Sequence, residues 1–442
     1  MPILLALLAA PLSPPDGRPW MSGVAWADDH DDDEGDDDDD DDEGDDDDDD
    51  GGSSPTRAGD DQPAPIPPPP TAAPAEIVAF DLSAADYEAL LAQGYELIDE
   101  QTIAAFGSTL RRLRVPPGIS LIDARAAVRA LPSGQDADLN HYYRPEQTGE
   151  VSCAGLHCPA LDLIDWPLDP SRENACGEDI PIGMIDTAVN TDHPTFAGSR
   201  LEFRRLMDDA PATSDATHGT AIAAILVGDP ASRSPGLLPH ARLVAVDAFS
   251  RVRSDERADV FTLVEALGFL AGENVRVINL SLAGPPNTVL ERAVSELAGP
   301  LGIVLVAAAG NAGPQAGPLY PAAYDGVVAV TAVDQAGTVY RRAGRGPHID
   351  FAAPGVDVWT AASVSGARAR TGTSFAAPFV SAAAVLVLQE APGLTPERVL
   401  DVLSATARDL GAAGRDEIYG HGLLSLTGLC QTAKPLPAGT VD

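Results

Sequence analysis

The chain has 442 residues, 44% of them hydrophobic, and a formal charge of -39. That length and apolar content allow at least one large buried core and exclude a wholly disordered or fibrous chain. The charge is uneven: 20 carboxylates fall within residues 28 to 50, while 21 basic and 34 acidic residues leave -13 from residue 144 onward, so nucleic acid is not an expected partner.

The chain opens on "MPILLALLAAPL", an apolar run of signal-peptide length, and "AWA" at 25 to 27 is a small-x-small cleavage pattern. A cleaved leader over 1-27 and a secreted or cell-envelope location are expected. A misassigned start codon or an uncleaved anchor is the other reading, because no Lys or Arg precedes the run and the spacer to Ala27 is long. Residues 28-75 combine the acidic tract with "GGSSPTRAGDDQPAPIPPPP", a composition of extended linker that does not fold by itself.

Residues 76-143 change character. "EIVAFDLS", "YELIDEQTI", "TLRRLRVP" and "ADLNHYY" are strand-like, and "AADYEALLAQG" and "SLIDARAAVRALP" are helical. The order βαββαβ predicts a small ferredoxin-like module. The main body is expected over 144-442. There "PIGMID", "ARLVAVDAF", "RVINLSL", "IVLVAAAG" and "VVAVTAV" are short and apolar on both faces, with helical stretches between them. An α/β fold follows, with a parallel sheet covered by helices on both faces and sites at the carboxyl ends of its strands. The apolar run after Ser374 is broken by Ser381 and Gln389 and fits a buried helix, so no stable membrane insertion is expected after processing. Cys153, Cys158, Cys176 and Cys430 form no metal pattern. In an exported chain their even number favours disulfides, with three connectivities open and free thiols the alternative.

Four motifs carry chemistry. "GMID" ends a strand at Asp186, "ATHGT" sets His218 at a helix start, "VAAAGN" ends at Asn311, and "RTGTSFAAPFV" holds Ser374 before a long helix. Serine needs a base to take its proton, a group to orient that base, and donors for the oxyanion. Asp186 can orient His218, His218 can deprotonate Ser374, and Asn311 with the Ser374 N–H can hold the oxyanion.

The order Asp, His, Ser, with spacings of 32 and 156 residues, resembles that of the subtilisin-like serine proteases. The likeness covers about 180 to 430, and 76-143 looks like the family's propeptide, which acts as folding chaperone and inhibitor. It implies a secreted serine endopeptidase made as a self-processing precursor, with protein or peptide substrates and its own propeptide as partners. Ser281, Leu282, Ala283 and Gly284 resemble the family's substrate-pairing strand, and Ala283 adds a methyl expected to crowd the subsites upstream of the cut. Ala188 and Ala221 also depart from the usual pattern. "NHYY" resembles the end of related propeptides, so cleavage is expected after Tyr143. No cofactor is required, and structural calcium stays open although no specific site supports it. In "VGDPASRSPGLLPHA" Arg233 and three prolines stand where the family's calcium loop would need oxygen ligands. His193 and His421 are expected to shape turns. Two rival readings remain: an α/β-hydrolase set of Ser374, Asp416 and His421, and an inactive protease-like binding protein whose acidic tail captures cations.

Overall fold

The computed structural model describes residues 69–145, 159–166, 177–206 and 213–429. The expected leader, the acidic tract and all four cysteines lie outside the described residues.

The first elements are β1 (Ala72–Phe80), α1 (Ala84–Ala92), β2 (Glu96–Ile103), β3 (Ser108–Arg114), α2 (Leu121–Arg129) and β4 (Asp138–Pro145). β1 begins inside the stretch expected as linker. Each helix starts at a serine, Ser83 or Ser120, whose hydroxyl accepts from the N–H three residues on. The four strands run β2-β3-β1-β4 with antiparallel pairs. Side chains alternate across a strand, and β1 uses both faces. Ile77 and Ala79 pack with Leu90, Leu113 and Val128 in the module's own core. Val78 and Phe80 face the other way, into a core shared with the body.

The body contains α3 (Pro159–Leu163), β5 (Ile182–Asp186), β6 (Arg200–Arg205), α4 (Ala216–Val227), β7 (Arg242–Asp247), β8 (Ser250–Val252) and β9 (Asp255–Asp259). Next come α5 (Val260–Gly272), β10 (Val277–Leu280), β11 (Leu282–Ala283), α6 (Thr288–Ala298), β12 (Val304–Ala308) and β13 (Val327–Val333). The last elements are β14 (Ile349–Pro354), β15 (Val358–Ala361), β16 (Ala367–Arg370), α7 (Thr373–Glu390) and α8 (Pro396–Thr406). The central sheet has the order β14-β13-β12-β10-β5-β7-β6, and every pair in it is parallel. α4 and α7 pack in the core on one face, α5 and α6 in the core on the other. The strands read from the sequence are present as β5, β7, β10, β12 and β13. β6 is a charged edge strand with its residues mostly exposed, so it carries no apolar signature.

Parallel register brings the strand ends to one edge. Asp186 pairs with Asp247, and Leu280 lies between Ile185 and Ala307. At that edge the module meets the body: β4 pairs antiparallel with both β9 and β11. The boundary expected between Tyr143 and Arg144 falls inside β4, which runs unbroken to Pro145.

Candidate active site

Asp186, the last residue of β5, is buried, and its Oδ1 lies 2.6 Å from His218 Nδ1. The Thr187 N–H also donates to Oδ1, at 2.7 Å, which fixes the carboxylate by a charge-assisted bond. His218 sits in the first turn of α4, whose N-cap Asp215 accepts from the Thr217 N–H. Its Nε2 is buried and has no protein partner, so that nitrogen is available to a reacting group.

The next residue, Gly219, is needed for closeness. A Cβ there would stand 2.3 Å from the Thr187 carbonyl oxygen and 2.6 Å from that of Ala188. Only glycine lets α4 come near enough to the end of β5 for the His218–Asp186 contact.

Ser374 is the second residue of α7 and is fully buried. Gly372 before it has φ of +149°, a conformation other residues rarely adopt. Ser374 Oγ donates to the Ser281 carbonyl at 3.2 Å, and Ser281 Oγ donates to the Ser374 carbonyl at 2.8 Å. Phe375 packs its ring on His218, with centroids 5.4 Å apart. The start of α7 is thereby held against both the imidazole and the β10–β11 junction. Asn311, following β12, accepts from the Thr373 N–H and hydroxyl through Oδ1 at 3.1 and 3.2 Å. With the oxygen so engaged, the NH₂ end of the amide is the one that can donate elsewhere.

Sequence reasoning missed Asp247. Its carboxylate accepts from Ser214 Oγ (3.0 Å to each oxygen), Arg205 (2.7 Å) and the Phe249 N–H (3.0 Å). Burial pushes its pKa up to about 6, and the nearby Asp186 adds to that, against the pull of Phe249, Arg205 and Ser214. Its signal in the sequence was a second strand ending in Asp, "VAVD" beside "GMID".

On the substrate side, Leu282 pairs with Pro145 and Ala283 with Arg144, while Tyr142 and Tyr143 pair with Asp259 and Ala258. The end of β4 therefore lies as the middle strand between β9 and β11. The Ala283 methyl does not block this pairing. The residue that limits space is Gly284, where a Cβ would come within 2.5 Å of the Tyr143 ring. Tyr143 is fully buried and its hydroxyl donates to the Pro285 carbonyl at 2.9 Å. The expected cut after Tyr143 does not fit this register. Ser374 Oγ sits at Ser281, two residues before Ala283 on β11, so the bond beside Arg144 is held away from the nucleophile.

The other candidates are turn residues. His193 Nδ1 accepts from the Thr195 N–H. Asp416 accepts from the N–H groups of Ala412, Ile418 and Tyr419, and the His421 ring lies against Phe351, so the α/β-hydrolase set is not assembled. Among the described residues no group of three His, Cys, Asp or Glu side chains is placed to hold a metal ion.

A model of the subtilase family matches residues 177–422. Subtilisin DY of Bacillus licheniformis is 32% identical over 262 residues, 58% of this chain and 92% of the relative. The alkaline protease of Alkalihalobacillus alcalophilus is 33% identical over 290 residues, 63% of this chain and 72% of the relative. Among solved structures, fervidolysin from Fervidobacterium pennivorans, a keratinolytic enzyme related to subtilisin, has a TM-score of 0.66 at 20% identity. That match covers 81% of this chain and 61% of fervidolysin, and is a likeness of fold. The protease domain of PatA matches with a TM-score of 0.51 at 32% identity, over 57% of this chain and 94% of the other.

Proposed function

The chain belongs to the subtilase family and is a serine-type endopeptidase, and on that premise we propose that Ser374, His218 and Asp186 carry peptide-bond hydrolysis in an exported, self-processing precursor. Ser374 Oγ attacks the scissile carbonyl while His218 Nε2 takes its proton. His218 then returns the proton to the leaving amine, and Asp186 stabilises the imidazolium. Asn311 Nδ2 and the Ser374 N–H donate to the tetrahedral oxyanion, and the start of α7 adds a favourable dipole. A water molecule, deprotonated by the same imidazole, releases the acyl group.

The observation that carries this reading is one arrangement: Nδ1 of His218 is held on Asp186 at 2.6 Å, Nε2 has no protein partner, and the serine-bearing helix packs on the same ring. An extended peptide pairs with exposed strand edges, so protein or peptide substrates are taken to lie between β9 and β11. β4 occupies that position, which supports reading the module at 76-143 as an inhibitory propeptide. The leader-like run and the "AWA" pattern support export.

Ser374→Ala should leave a stable precursor and lower turnover by ~10⁶, a magnitude that belongs to subtilisin itself and is carried over here. Casein hydrolysis and fluorophosphonate labelling, of the processed wild type and of the Ser374→Ala precursor, test it. Labelling should occur in wild type and vanish in Ser374→Ala. Hydrolysis at the wild-type rate by the alanine variant would end this reading.

A further inference from the structure

We propose that Asp255 makes this enzyme prefer arginine at the third residue before the bond it cuts. The inference rests on the proposed function and specifies its substrate class.

The register sets the numbering. Ser374 Oγ is bonded to the Ser281 carbonyl, and β11 continues antiparallel to the bound strand with Leu282 facing Pro145 and Ala283 facing Arg144. In an antiparallel ladder each step along one strand is a step back along the other. A chain bound this way presents to the nucleophile the residue that faces Ser281. The position of Pro145 is then second before the cut, that of Arg144 third and that of Tyr143 fourth.

Side chains alternate along the bound strand, so the third residue points away from the pocket that holds Tyr143. In an ordinary strand such a side chain is left to solvent. Here it is bound by the body. Arg144 Nε lies 2.7 Å from Asp255 Oδ1, and a terminal nitrogen lies 3.1 Å from Oδ2, a fork matched to both carboxylate oxygens. The same terminal nitrogen donates to the Pro70 carbonyl. The two side chains are 16% and 19% exposed, so this pair is more shielded from solvent than an open surface contact.

Asp255 belongs to the body, at the start of β9, and is positioned without help from β4. Arg257 holds its Oδ2 at 2.9 Å, so the arginine of the bound strand takes Oδ1 alone and shares Oδ2 with Arg257. A peptide with arginine at that position can reproduce both bonds. Lysine offers a single point charge in place of the fork, and citrulline offers the shape without the charge.

The test uses the processed enzyme and fluorogenic amides Tyr-Arg-Pro-Xaa, Tyr-Lys-Pro-Xaa, Tyr-citrulline-Pro-Xaa and Tyr-Ala-Pro-Xaa, with Xaa scanned over the natural residues. The arginine series should exceed the alanine and citrulline series about tenfold in kcat/KM, with lysine between. In Asp255→Asn the ratio of arginine to alanine should fall to near one. Equal rates for arginine, citrulline and alanine with the active wild type would overturn the proposal and leave the protease assignment standing. A preference that persists in Asp255→Asn would remove it from Asp255. A processed wild type that cleaves none of the peptides and takes no fluorophosphonate would overturn the proposed function, and this inference with it.

Discussion

Gly219 contributes no side chain, yet it sets the distance on which the acid–histidine contact depends. A methyl there would have to displace the backbone after Asp186 or push α4 outward. Misplacement by about an ångström can cost on the order of 10²-fold in rate. Gly219→Ala should therefore lower kcat by roughly that factor or more on any peptide substrate, with a loss out of proportion to its change in Tm. Unchanged kcat would show that the close approach is dispensable. Asp247 raises a different question, because its carboxyl is pushed up to about 6 from an ordinary 3.8. Between those values the folded protein keeps a proton that the unfolded chain has lost. Stability contributed through this group is thus highest below about pH 4 and declines as the pH rises toward 6, by on the order of 2–3 kcal/mol. Denaturation of Ser374→Ala from pH 4 to 7, with and without Asp247→Asn, should show that decline only where the aspartate is present. Parallel profiles would contradict it. The four motif residues were legible because each sits in a distinctive local string at a strand end or helix start. Asp247 was not, and Gly284 was named for pairing with substrate but not for the space it leaves to Tyr143. A lone Asp ending a strand is common, and the demand on Gly284 exists only once Tyr143 has been brought against it from another element.

β4 and α6 depend on each other. Asn287 caps α6 by accepting from the Val289 and Leu290 N–H groups, and Asp138 at the start of β4 accepts from the Thr288 N–H at 3.1 Å. Asn287 also donates to the Leu139 carbonyl, so the beginning of this helix is completed by the module. Burial pushes the Asp138 carboxyl up, but N–H groups of Thr288 and Leu139 and the Arg125 guanidinium outweigh it, and its pKa lies below the usual value. The stability it contributes is therefore present above about pH 4 and lost as the pH falls through its folded value. At neutral pH, Asp138→Ala in the Ser374→Ala background should cost about 2–4 kcal/mol, since it leaves Arg125 and Arg129 without their shared carboxylate and the Thr288 N–H in the first turn of α6 without its acceptor. Urea denaturation checks this, and a change below 0.5 kcal/mol would refute it. The six elements of the module were readable from alternation and serine caps. β14 and the hairpin of β15 and β16 were passed over, since pieces of four to six residues are too short for a period that separates strand from loop.

At the scale of the molecule, the described residues from 69 onward form one compact unit. The core beneath α5 and α6 takes Val78, Phe80, Ile103, Leu110 and Tyr143 from the module, alongside Val260, Leu263, Leu282 and Leu290 from the body. The sequence implied two modules in series, and the shared core adds packing between them that the order of elements does not express. Apolar residues on the second face of β1 read equally well as a private core, and nothing local names the partner they cover.

β4 is at once the last strand of one sheet and the middle strand of the cleft, and it is joined to the body through the same chain. While that connection is whole, the cleft meets its occupant at an effective concentration set by a short tether, of the order of millimolar. A peptide arriving from solution must compete against that figure. Once any bond in the connection is cut, the module becomes a separate molecule, and its hold on the cleft depends on how many copies share the volume. If the module acts as the inhibitory propeptide proposed above, the same contacts would then inhibit strongly where the protein is crowded and weakly where it is dilute. Severing one link changes no interface, yet it converts a fixed occupancy into one that dilution can empty.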